Sequence, residues 1–93
     1  MLSLDSQLKF PAHVTFSVVG ADAFLLNTRT SKYYLLQEVG ARLWTLLSQQ
    51  PGLRQAYETL LTEYDVEPPV LEQDLLELVA DLQQNGLVEI LAA

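Results

Sequence analysis

His13 is the chain's one histidine, and there is no cysteine to pair with it. A triad could be assembled on paper from His13, one of the serines and an aspartate, yet no spacing selects a particular serine or aspartate, and such triads are recognised by geometry and roles. His13 follows Pro11 and Ala12 at a strand start and reads as an exposed loop histidine. The lack of cysteine removes disulfides, thiolate nucleophiles and thiolate metal sites together. Carboxylates are spread along helical stretches with neither EF-hand nor HExxH spacing, and four scattered glycines build no phosphate cradle. No catalytic residue, metal site or cofactor is expected, and the chain is expected not to be an enzyme.

The side chains that are concentrated are apolar, aromatic and acidic, which is the chemistry of binding. Between Val70 and Asn85, Leu71, Leu75, Leu78 and Leu82 recur at spacings of 4, 3 and 4 residues and form an apolar stripe. Asp74, Glu77 and Asp81 recur at 3 and 4 and form an acidic stripe beside it. The plain reading is a core face next to a solvated face. The functional reading is a groove for a partner that carries Lys or Arg beside apolar anchors. Nucleic acid is disfavoured: five basic residues oppose twelve acidic ones, a formal charge of -7, and after Arg54 there are nine acidic residues and no Lys or Arg. Affinity for phosphates needs those cations. A recognition helix with Glu72, Asp74, Glu77 and Asp81 would repel a major groove.

The elements that must position these stripes follow from periodicity. Ninety-three residues suit one domain with one modest core. The hydrophobic fraction of 49% excludes a disordered chain, and no run approaches the ~20 apolar residues of a membrane span. The start, MLSLDSQLKF, lacks the apolar region of a signal peptide, so a cytoplasmic protein is expected. Residues 1–12 read as a tail or short entry strand, and 13–93 as the domain. HVTFSVVG alternates, with Val14, Phe16 and Val18 opposite Thr15 and Ser17. Gly20-Ala21-Asp22 supplies a turn, Ala23 to Asn27 a second strand, and Lys32 to Leu36 a third. From Glu38 the period becomes helical through Val39, Leu43, Leu46 and Leu47, ending near Gln50 at Pro51-Gly52. A second helix is predicted from Leu53 to about Tyr64 and a third from about Pro69 to Asn85, capped by Asn85-Gly86. LVEIL reads as a short closing strand. The fold class is α+β: a three-stranded antiparallel β-meander followed by three α-helices.

The stretch KYYLL stands out within this plan. Lys32, Tyr34 and Leu36 share one face and Tyr33 and Leu35 the other, so neither face is polar. Phe24 and Leu26 oppose Ala23 and Leu25 in the same way. Either the tail or the closing strand covers the second face, or apolar surface stays open. The third strand of a meander is also an edge, and only Lys32 blunts it. An extended peptide could add a strand there, with alternate side chains entering pockets against the third helix. The expected peptide site is therefore Lys32, Tyr33, Tyr34, Leu35 and Leu36 with Leu71, Asp74, Leu75, Leu78, Val79, Asp81 and Leu82. Within it, Tyr33 and Leu35 are expected to line the peptide.

The hairpin, then YYLLQEVGARLWTLL, then a helix ending near EYDV and a long acidic, leucine-rich helix closing on NGLVEI, resembles the PqqD family over about residues 14–91. Members of that family, also called RiPP recognition elements, are small winged-helix-like domains that bind the leader segment of a ribosomally made precursor peptide. One departure is Gln37, where the family commonly has Asn at the strand-to-helix junction; both can cap through a side-chain oxygen. The resemblance implies a stand-alone, non-catalytic leader-binding protein of the lasso-peptide type. It also implies, as partners, a separate transglutaminase-like cysteine protease and a cyclase, with no nucleic acid or membrane. The rival expectations are a winged-helix DNA-binding regulator and a structural subunit that dimerises through its apolar strands.

Overall fold

A computed structural model describes residues 2–50 and 52–91. In chain order the elements are β1 (Gln7–Lys9), β2 (Val14–Val19), β3 (Asp22–Asn27), β4 (Lys32–Gln37), α1 (Val39–Gln49), α2 (Leu53–Glu63), α3 (Pro68–Gln84) and β5 (Glu89–Leu91). Pro51, expected to end the first helix together with Gly52, lies outside the described residues. The α+β plan of a meander followed by three helices is what forms.

The meander has β3 at its centre, antiparallel to β2 on one side and β4 on the other. Gly20 makes the β2–β3 turn at a φ of +61°, which favours glycine. Register places Phe16, Leu25 and Tyr34 in one row across the sheet and Ser17, Phe24 and Leu35 in the next. Rows alternate in direction, so the first points to the helices and the second away from them. Ala23, Leu25 and Asn27 are buried on the helix side. The closing strand does not cover the other side. β5 pairs with β1 in a separate two-stranded sheet, Leu8 opposite Ile90, and Leu4 and Leu8 are buried in the core.

The core joins Leu43, Trp44 and Leu47 of α1, Leu53 and Leu60 of α2 and the inner face of α3 to Leu25, Leu87 and Val88. Trp44 lies between Phe10, at 4.8 Å between ring centroids, and Phe16, edge-on at 5.6 Å. Its indole N–H is buried without a partner among the described residues. Arg42 donates from Nε and Nη2 to the Glu63 carboxylate at 2.8 and 2.7 Å, tying α1 to α2. That hydrogen-bonded pair holds the Glu63 carboxyl below its usual pKa.

Two expectations about local structure are corrected. The α3 core row is Leu71, Leu75, Val79 and Leu82, whereas Leu78 is half-buried beside it. At 3.6 residues per turn, 78 and 79 flank the same direction, and the smaller Val79 is the one that points inward. The N-cap of α1 is Glu38, not Gln37, and no side chain caps the helix. Gln37 is still paired with Asp22 at the end of β4, so the chain reverses one residue later, at Glu38, with φ 54° and ψ -121°.

Candidate peptide-docking edge

Backbone alternation identifies which groups of β4 are free. Glu38 N–H donates to Ala21 O at 3.3 Å, which sets the phase in which Lys32, Tyr34 and Leu36 face β3. Thr28 N–H donates to His13 O at 2.8 Å and sets the opposite phase on the other side of β3, so the two ladders agree. The N–H and C=O groups of Tyr33 and Leu35 therefore point outward from the sheet, along an edge with no partner strand among the described residues. β2 is the second free edge, with Phe16 and Val18 in the outward phase.

The two edges differ in what lies beside them. Next to β4, Gly40 in the first turn of α1 sits between sheet and helix. A Cβ placed there would lie 3.5 Å from Leu78 Cδ2 and 3.8 Å from Leu36 Cβ. Leu36 and Leu78 are thus the walls of a groove whose floor is backbone. Gly40 and Leu78 also line a hollow of about 310 Å³, bounded further by Val39, by Tyr64 and Val66 after α2, and by Leu71 and Leu75 of α3, with Asp65 and Asp74 among its lining. Asp74, Glu77 and Asp81 are all exposed along α3.

The expected site residues do not all sit together. Leu71, Asp74, Leu75 and Leu78 line the hollow, and Leu36 stands across Gly40 from Leu78. Val79 and Leu82 are core residues with 0% and 4% exposure, so they support α3 from within and offer a partner no surface. Tyr33 and Leu35 send their side chains to the sheet face turned away from α3, while their backbones form the edge; Lys32, Tyr34 and Leu36 face the groove side. Asp81 lies at the far end of the helix, where its carbonyl accepts from Asn85 Nδ2 at 2.9 Å.

Several contributors escaped the sequence reading. Gly40 carries a signal, since glycine is a poor helix residue and needs a reason in a helical turn. His13 is not a free loop residue: it is half-buried, and its Nε2 bonds to Gly86 O at 3.1 Å. Asn27, buried at the end of β3, donates to Asn85 O at 3.3 Å. These two bonds tie the hairpin end of the sheet to the end of α3, and so help to set the separation between β4 and α3. Gly86 is required there, because its φ is +74° and a Cβ would lie 3.2 Å from Asn27 Nδ2. Among the described residues no cluster of His, Asp and Glu could hold a metal ion.

The profile of coenzyme PQQ synthesis protein D (PqqD) matches residues 22–88, from the first residue of β3 to the residue before β5. The chain belongs to the PqqD family. The match takes in the meander's last two strands and all three helices, hence the whole groove of this PqqD-family chain. A search of curated proteins finds no match. Among solved structures the chain is similar to TbiB1 in complex with the TbiA(beta) leader peptide, with 28% identity and a TM-score of 0.85 over 91% of this chain and 99% of that one. It also shares its fold with a lasso peptide synthetase B1 complexed with the leader peptide, with 23% identity and a TM-score of 0.80 over 89% and 98% of the two chains.

Proposed function

We propose that this PqqD-family chain is a non-catalytic RiPP recognition element that captures the leader segment of a precursor peptide in lasso-peptide biosynthesis. The observation that carries the reading is the free β4 edge, with the outward N–H and C=O groups of Tyr33 and Leu35 lying beside the Leu36–Gly40–Leu78 groove. Family membership and the likeness to a leader-bound structure support it. The leader adds as a strand to β4, and its alternate side chains pass over Tyr34 and Leu36 toward Leu78 and the hollow at Leu71 and Leu75. A basic residue in the leader meets Asp74 and, further along α3, Glu77 and Asp81.

Two well-buried apolar anchors contribute ~1.5–3 kcal/mol each. Ordering a flexible leader costs ~2–5 kcal/mol, so backbone pairing supplies much of the net affinity. The chain works in the cytoplasm and hands the loaded leader to a separate transglutaminase-like cysteine protease and a cyclase. No described helix is long and apolar enough to cross a membrane. Titration calorimetry with the leader of the precursor from the same source is the test. One-to-one binding that weakens with salt is expected, since exposed charge pairs are screened. Absence of heat together with unchanged amide spectra would end the reading.

A further inference from the structure

Cations are scarce in this chain, and their placement is uneven. Arg42 and Arg54 are held in ion pairs with Glu63 and Asp5. Lys9 stands in β1, opposite Glu89 of β5. Arg29 lies in the turn between β3 and β4, and Lys32 opens β4; both are exposed, and neither has an ion-pair partner among the described residues. No acidic residue occurs from Thr28 to Gln37. We infer that this turn is an anion-recognising end of the leader site, where Arg29 and Lys32 receive a carboxylate side chain of the leader as it leaves β4. The inference rests on leader binding at β4 and adds to it one residue of the chain, Arg29, and one chemical class of leader residue.

Three observations carry it. The first is continuity. Lys32 shares the groove side of β4 with Tyr34 and Leu36, so a strand added to β4 and running past the outward groups of Tyr33 arrives at Lys32 and the turn. Arg29 and Thr30 of that turn line a cleft of about 660 Å³ together with Gln83, Gln84 and Asn85 at the end of α3. The second is rigidity. Ser31 N–H donates to Asn27 O at 2.8 Å and Arg29 N–H to Asn27 Oδ1 at 3.0 Å, closing the turn. Asn27 is buried and donates to Asn85 O, while Thr28 Oγ1 donates to His13 O at 2.8 Å. A turn braced in this way leaves only the Arg29 side chain to be ordered when a carboxylate arrives. The third is charge. Glu89 is the one carboxylate that lines the cleft, and it makes no ion pair with Arg29. At the other end of β4, about 17 Å away over five residue steps, Asp65 and Asp74 line the hollow beside Gly40 and Leu78. In a chain of net charge -7 the site is thus cationic at the turn and anionic at the α1 end. Two cations match a carboxylate side chain and are too few for a polyanion such as nucleic acid.

Charge reversal on both sides of the contact is the test. Arg29→Glu and Lys32→Glu are compared with Arg54→Glu, which changes the net charge equally from α2, and each is checked by thermal melting. The probe is the leader of the precursor from the same source, unmodified and in versions with a single Asp or Glu replaced by Lys. Affinity is measured by titration calorimetry at low and at high salt. With the unmodified leader at low salt, Arg29→Glu and Lys32→Glu should each lose about fivefold or more, less at high salt, and Arg54→Glu should stay within twofold of wild type. One leader version should lose affinity for wild type and regain it on Arg29→Glu or Lys32→Glu. Affinities within twofold of wild type for both turn variants would overturn the inference. So would equal losses in all three variants, or a set of leader versions in which none is rescued. Should one turn variant unfold, the other decides. If wild type binds no leader at all, the leader-binding reading itself falls, a result distinct from tight binding that is indifferent to the turn.

Discussion

Proline at position 35 separates a docking edge from a closed one. Leu35 N–H points away from β3, so its removal leaves the β3–β4 ladder intact. Tyr33 and Leu35 together offer a leader up to four backbone bonds, each with a net contribution of ~0.5–1.5 kcal/mol. Proline at 35 deletes one donor and turns its ring toward a leader carbonyl that would then be buried unpaired, at a cost of ~1–3 kcal/mol. That corresponds to about 5- to 150-fold in Kd. Tyr33→Pro should behave alike, whereas Tyr34→Pro strikes an N–H that faces β3 and should lower the melting temperature first. Leu35→Ala is the control: it keeps the N–H, loses a side chain on the far face and should bind leader within threefold of wild type. The assay is leader titration and thermal melting on the same preparations. If Tyr33→Pro and Leu35→Pro stay folded and both bind leader like wild type, strand addition to β4 is wrong.

Other positions give independent checks. Gly40→Ala places a methyl in ordinary contact with Leu78 and Leu36 and should stabilise the fold by ~0.5–1 kcal/mol with leader affinity kept, whereas Gly40→Leu fills the groove and should weaken the leader at least tenfold; equal affinities would place the peptide elsewhere. Glu38 holds a φ of 54° that glycine adopts freely, so Glu38→Gly should stabilise by ~1 kcal/mol, about 4–8 °C in melting temperature; an unchanged or lower melting temperature would show that Glu38 carries no strain. The Arg42 pair depresses the Glu63 pKa, so its stabilisation is full above the ordinary value of 4.5 and fades as pH falls through the lowered one. Urea unfolding should therefore find wild type more stable than Glu63→Gln at pH 7 and the gap closing well below pH 4.5; a gap that persists in acid would refute the pairing.

The elements most open to a reading of periodicity were the long ones. Helical spacing from Val39 to Leu47 and from Leu71 to Leu82 gives enough turns to average out single residues, and both helices stand within a residue or two of expectation. Three residues of β1 give no such average, and Leu8 sits opposite Ile90, a partner more than 80 residues away in the chain. Alternation correctly divided Tyr33 and Leu35 from Tyr34 and Leu36, but the direction of each face depends on where α1 and α3 lie. That is a tertiary fact, and it turned two expected pocket residues into backbone donors and outer-face side chains. Leu78 and Val79 illustrate the same limit on a helix: both fit the stripe, and packing chose between them. His13 and Asn27 were illegible for a different reason. Their partners, Gly86 O and Asn85 O, are backbone atoms that carry no residue-type signal.

Amide hydrogen exchange, read residue by residue with and without the leader peptide, bears most directly on capture by strand addition. Strand addition to β4 should give new protection at the Tyr33 and Leu35 amides, which face outward from β4, and none at Phe16 and Val18, the outward amides of the competing β2 edge. Protection at Phe16 and Val18 with Tyr33 and Leu35 unchanged would contradict it and move the leader to the opposite side of the sheet.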